Sequence, residues 1–167
     1  MKTLILVRHA KSDWGTEGLS DSERPLNERG KKDAPEMAKR LKKKGLKIDV
    51  FISSPAKRAK KTAKYFAEEF GVDKDSILIE PKLYGALPSG FETVIASLND
   101  KKDTVVVFSH NPGITDYTNT LTTVHTDNIP TCGIFAVQVN VDKWSDFAKA
   151  EKSFLFYDYP KNPLAAL

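Results

Sequence analysis

Cysteine is almost missing from this chain. The single thiol, Cys132, has no internal disulfide partner, which fits a reducing compartment and excludes a disulfide-stapled scaffold. It also excludes the cysteine-phosphatase signature Cys-x5-Arg, because Gln138 stands six positions after it. Histidine is scarce, with His9, His110 and His125 as the three copies. Catalytic zinc usually takes three protein ligands, and His9, His110 and the distant Cys132 offer no cluster of matching spacing. The phosphate-binding loop Gly-x4-Gly-Lys-Ser/Thr is absent too, since Gly85 and Gly90 are followed by Phe91 and Glu92. No apolar stretch approaches a membrane span; Leu4–Val7 is the longest before Arg8. Met1-Lys2-Thr3 leads into that run with no signal-peptide core or cleavage site. Nine Gly and nine Pro are ordinary use, so collagenous and low-complexity classes fall away. The expectation is a soluble cytoplasmic protein with no metal, no cofactor and no membrane partner. At 167 residues it forms one domain, 1–167, and is expected to be a monomer.

Positive charge is in modest excess, 26 Lys and Arg against 22 Asp and Glu. Only five of the 26 are Arg, at positions 8, 24, 29, 40 and 58. Many of the lysines, including Lys31, Lys32, Lys57, Lys60, Lys61 and Lys64, fall on the outer faces of two helical segments, where a solvated role is usual. Arg at base edges and interleaved exposed aromatics, the marks of nucleic-acid readers, are missing, so no nucleic-acid partner is expected. A basic surface can still draw in anionic substrates.

Strand-like and helix-like patterns alternate. Thr3–Val7, Val50–Ile52, Ile77–Ile79 and Thr104–Phe108 read as strands, the last being the most β-branched and therefore central. Ala34, Met37, Ala38 and Leu41 recur at helical spacing before Gly45. Pro55 opens a second helix that buries Ala59, Ala63, Phe66, Ala67 and Phe70. Phe91, Val94, Ile95 and Leu98 mark a third, and Pro112 starts a fourth with Ile114, Tyr117 and Leu121. Cys132–Val141 and Ser153–Tyr157 suit two more strands, and the stretch after Tyr157 reads as irregular. The alternation predicts an α/β three-layer sandwich, a mostly parallel sheet with helices on both faces and ligands beyond its carboxyl edge.

That edge is where the chemistry gathers. One apolar run ends Val7-Arg8-His9-Ala10-Lys11-Ser12, another Ile52-Ser53-Ser54-Pro55-Ala56-Lys57-Arg58, and the central one Phe108-Ser109-His110-Asn111-Pro112. Two Arg and two His therefore meet at one edge. Arg offers bidentate donors suited to a phosphoryl group, and His serves as nucleophile, acid or base. Arg8 and His110 follow apolar runs, where an unpaired charge or polar group is costly without a function. Arg24, Arg29 and Arg40 read instead as surface ion pairs, His125 as a loop histidine and Asp73-Lys74-Asp75 as an exposed turn.

The segments Leu6-Val7-Arg8-His9-Ala10-Lys11-Ser12, Pro25-Leu26-Asn27-Glu28-Arg29-Gly30, Ser53–Ala63 and Ser109-His110-Asn111-Pro112 resemble, in order and spacing, the motifs of the histidine phosphatase superfamily. Ala10 in place of the usual Gly, together with Lys11, Ser12, Trp14 and the short length, resembles the small SixA-type phosphohistidine phosphatase branch. The resemblance implies a phosphoglycerate mutase-like fold and a phosphatase working without metal through phosphorylated His9. Arg8, Arg58 and His110 would then hold the transferring group, with Ser12 and Asn111 as further phosphate-binding residues. Larger members of the superfamily use a carboxylic acid on the leaving group. Glu80, Glu92, Asp13 and Glu17 are the available candidates, none in a matching motif. A nitrogen leaving group needs less help, which makes phosphohistidine on a partner protein the leading substrate. The alternatives are a phosphatase of small phosphoesters, less readily a mutase, or a phosphate-binding module without catalysis.

Overall fold

In the computed structural model, residues 1–15 and 17–163 are described. Four strands run parallel: β1 (Lys2–Arg8), β2 (Val50–Ser53), β3 (Leu78–Ile79) and β4 (Thr104–Ser109). Strand β5 (Ile134–Val139) runs antiparallel to β1, and β6 (Lys152–Asp158) antiparallel to β5, extending the sheet to six in the order β3-β2-β4-β1-β5-β6. The most β-branched run, β4, is central and pairs with both β1 and β2.

Period-two side-chain alternation sends successive residues of each central strand to opposite faces. Leu4, Leu6, Val105, Val107, Phe135 and Val137 pack on one side with α3 (Pro88–Ala96), α4 (Gly113–Thr118), Trp144 and Phe147. Ile5, Val7, Val106, Phe108, Ile134 and Ala136 pack on the other with α1 (Glu28–Lys43) and α2 (Lys57–Glu69). Both faces are apolar because both are covered, so the sandwich has the three layers its strands require.

Several expectations shift in detail. The second helix begins at Lys57, two residues after Pro55, because Ala56 is its N-cap and keeps an extended backbone. Leu121 lies beyond the end of α4, although it still packs in the core. The third strand shrinks to Leu78–Ile79, an exposed edge. The segment expected to be irregular from Tyr157 starts within β6, which continues to Asp158; the part beyond residue 163 lies outside the described residues. Among the described residues no helix is long and apolar enough to cross a membrane.

One glycine fixes how the first helix meets the sheet edge. A Cβ at Gly30 would lie 2.2 Å from the Lys11 carbonyl oxygen, so only glycine lets α1 start against the loop after β1. Asn27 caps the same turn, its side chain accepting the Gly30 N–H at 2.9 Å.

Candidate active site

Parallel registers align the carboxyl ends of three strands. Arg8 pairs with Ser109, and Ser53 with Phe108. The chain then leaves the sheet with His9 N–H donating to the Ser109 carbonyl (3.1 Å) and Ser54 N–H to that of Phe108 (3.0 Å). His9, Ser54 and His110 are thereby set side by side, and the two imidazole centroids stand 5.1 Å apart. Arg58, in the first turn of α2, reaches the same place, with its Nε 3.4 Å from His9 Nε2. The four residues from three separate strand ends form one cluster. His9, Arg58 and His110 are all buried and Arg8 is half-buried.

Hydrogen bonds fix the tautomers. The Ala10 carbonyl can only accept, so His9 Nδ1 carries the proton that it donates there at 2.7 Å. His9 Nε2 carries the lone pair, which accepts a long hydrogen bond from Arg58 Nε at 3.4 Å. Burial, reinforced by His110 and the two arginines, pushes the His9 pKa down to about 3, so the ring is neutral near pH 7. His110 is pushed down to about 4 by burial and then by Arg58. Its Nε2 lies 2.7 Å from Ser54 Oγ, which already accepts the Ala56 N–H. With the Ser54 hydroxyl donating to Nε2, the His110 proton sits on Nδ1. Two buried nitrogens of the cluster, His110 Nδ1 and Arg8 Nε, have no protein partner among the described residues. Buried donors are rarely left unpaired, and an oxyanion would satisfy both.

The surrounding loops hold these groups in position. Arg8 Nη1 donates to the Ile129 carbonyl at 2.9 Å. Thr62 Oγ1 accepts the Ala10 N–H at 3.0 Å and donates to the Arg58 carbonyl, which ties the loop after β1 to the helix carrying Arg58. Asp21 accepts from Arg58 twice, at its carbonyl (2.6 Å) and its carboxylate (3.0 Å). The same carboxylate accepts from Tyr84 O–H and from Arg24 Nε. The Tyr84 hydrogen bond and then Arg58 hold Asp21 well below the usual carboxylate range. Tyr84 also packs edge-on against His110, with centroids 5.5 Å apart.

The remaining sequence candidates lie elsewhere. Ser12 is buried, but its Oγ accepts from Arg24 Nη1 at 2.7 Å. The Asn111 side chain is occupied by Asn128, Ile129 and Thr115, so it braces the loop after β4. Glu80 caps the turn at Lys82 through its Oε1, and Asp13 accepts the Gly15 N–H in its own loop. Glu92 is exposed on α3, and Glu17 is exposed as well. Among the described residues no hydrogen bond or ion pair joins Glu80 or Glu92 to the cluster. Arg24 differs from the surface ion pair expected of it: its side chain is 12% exposed, and its guanidinium stacks 3.4 Å from the Trp14 ring centroid. Arg29 and Arg40 do make helix-surface ion pairs, with Asp33 and Glu36. Asp21, Arg24, Tyr84 and Thr62 are the positioning residues that sequence reading passed over. The one available cue was the polar run Asp21-Ser22-Glu23-Arg24 just before Pro25-Leu26.

Residues 4–84 match the model of the histidine phosphatase superfamily (branch 1). Just under half of the chain is thus similar in sequence to that superfamily, and the whole fold is similar to that of phosphatase structures of the same architecture. A structure from Agrobacterium tumefaciens provisionally named phosphohistidine phosphatase SixA superposes with TM-score 0.79 at 22% identity, covering 95% of this chain and 98% of that one. A protein histidine phosphatase SixA complexed with tungstate gives TM-score 0.75 at 22% identity, covering 96% and 98%. The 2,3-bisphosphoglycerate-dependent phosphoglycerate mutase of Bartonella bacilliformis is 40% identical over 70 residues, 41% of this chain and 34% of that protein. The chain thus spans about a third of the length of the curated mutases it matches. A chloroplastic protein of Arabidopsis thaliana is 26% identical over 153 residues, 87% of this chain and 70% of that one.

Proposed function

We propose that the protein is a phosphatase that passes the phosphoryl group through His9, with phosphohistidine in a partner protein as its substrate. The observation that carries this reading is the His9 tautomer. A neutral ring with Nδ1–H committed to the Ala10 carbonyl offers a Nε2 lone pair within a group of cationic and N–H donors. In the first step His9 Nε2 attacks phosphorus in line. A P–N bond to His9 forms as the bond to the leaving imidazole breaks, and that imidazole takes a proton from solvent. In the second step water attacks the phosphorus, releasing inorganic phosphate and restoring neutral His9. Arg8, Arg58 and His110 Nδ1–H stabilise the charge spread over the equatorial oxygens, which is where a protein contributes most to phosphoryl transfer.

The acids support this substrate class. Asp21, the carboxylate bonded to Arg58, is held ionised and cannot protonate a leaving group near pH 7. A nitrogen leaving group asks least of a general acid. The likeness to SixA folds, one of them complexed with the oxyanion tungstate, supports phosphate chemistry in this fold.

The test is phosphate release, with chelator and no added metal, from a phosphohistidine protein and from an aryl phosphate, with His9→Ala alongside. Faster turnover of the phosphohistidine protein, lost in His9→Ala, is the expected result. Preference for the ester would redirect the assignment to small phosphoesters. Binding of phosphate without turnover of either would leave a binding module.

A further inference from the structure

Beside the catalytic cluster runs an open groove of about 990 Å³ between α2 and the start of α1. Lys31, Lys57, Lys60, Lys61 and Lys64 line it, and Tyr84, which packs on His110, forms its end nearest the two histidines. Pro25, Leu26 and Pro55 contribute apolar surface, and Glu23 is the acid among the lining residues. None of Lys57, Lys60, Lys61 and Lys64 makes an ion pair among the described residues.

The same lysines run against the interest of their own helix. The first turn of α2 has no acidic residue, although a helix N-terminus favours negative charge. Lys57 with Lys61 and Lys60 with Lys64 are like-charge pairs at i, i+4, which also oppose helix formation. The opposite face of α2 explains the helix itself: Ala59, Thr62, Ala63, Phe66 and Ala67 are buried there. An arrangement that costs stability locally, on the wall of a groove leading to the reacting group, points to a role in recognition.

We propose that this groove docks an acidic segment of the protein that carries the phosphohistidine, next to the modified residue. The inference rests on the function proposed above and deepens it by naming the partner's chemistry. Charge complementarity requires a polyanionic occupant. Apolar walls from Pro25, Leu26, Pro55 and Tyr84, with Lys rather than Arg as the cation, favour a protein segment over a nucleic acid. The groove steers the acidic face in, and the phosphoryl group then meets His9.

The test uses two synthetic peptides chemically phosphorylated on one central His, the first flanked by glutamates and the second by serines. At low salt the wild type should turn over the glutamate-flanked peptide with about ten-fold higher kcat/KM, and the preference should collapse at about 0.5 M salt. In K57E/K60E/K64E, the ratio of kcat/KM for the acidic peptide to that for an aryl phosphate should fall by about ten-fold. Its Tm should hold or rise, since acids replace bases at the helix N-terminus. Binding of the unphosphorylated acidic peptide, followed by fluorescence anisotropy, separates the two inferences. Lysine-dependent binding without phosphohistidine turnover upholds the groove and overturns the substrate assignment. Turnover of both peptides with equal kcat/KM overturns the groove and leaves the assignment standing. Tighter binding of a DNA oligonucleotide of equal charge than of the acidic peptide also overturns it.

Discussion

Arg58 joins His9 to the loops around it. Its Nε faces His9 Nε2, while Nη1 and Nη2 are spread across the Asp21 carbonyl and carboxylate. Lysine is a point charge and cannot make these divergent contacts at once. Arg58→Lys should therefore lose most of what Arg58→Ala loses, on the order of 2–4 kcal/mol of transition-state stabilisation. The check is kcat/KM for an aryl phosphate in the two variants; near-wild-type activity in Arg58→Lys would mean that charge alone suffices. The four clustered residues could be read from sequence because each directly follows or closely trails an apolar strand. Asp21, Arg24 and Tyr84 could not, because their partners lie up to 63 positions away and no local pattern marks them. The acids Glu80, Glu92 and Asp13 were available candidates that no motif marked, and the structure gives Glu80 and Asp13 local capping duties.

At the level of elements, the start of α1 is built around a missing side chain. Gly30→Ala would drive a Cβ into the Lys11 carbonyl at 2.2 Å, and backbone on both sides has to shift. The expected cost is about 1–3 kcal/mol, measured by denaturant midpoint. Because Lys11 directly follows the residue whose carbonyl orients His9, activity should fall more than stability alone explains. Helices and central strands were legible from their periodicity, as Met37, Ala38 and Leu41 on α1 and Val105–Phe108 on β4 illustrate. Element ends were less so. Leu78 and Ile79 have strand-forming side chains, yet a two-residue exposed edge is all that pairing with β2 leaves them.

For the whole molecule, the two depressed histidines tie stability to pH. Both have native pKa values below the ordinary 6.5, at about 3 for His9 and about 4 for His110. Below pH 6.5 the unfolded chain takes up protons that the folded chain refuses. Their contribution to stability is thus complete above about pH 6.5 and is lost as pH falls toward 4 and then 3. Denaturant midpoints between about pH 7 and pH 4 should drop, and less so in His110→Gln, which keeps the volume but not the titration. A flat profile in the wild type would mean that the rings take up protons as readily in the native state as in the unfolded chain. The three-layer architecture was expected from strand and helix alternation, and the two separate apolar cores on the odd and even faces of β1 and β4 are its physical basis.

Positions 9, 58 and 110 are about fifty residues apart, and they meet because β1, β2 and β4 lie side by side in parallel register. Parallel neighbours cannot be joined by a tight turn, so each of these contacts closes a long loop. A fragment lacking β1, β2 or β4 lacks part of the pocket. Phosphate-binding capacity, followed during refolding, should therefore appear only when the last of the three strands docks.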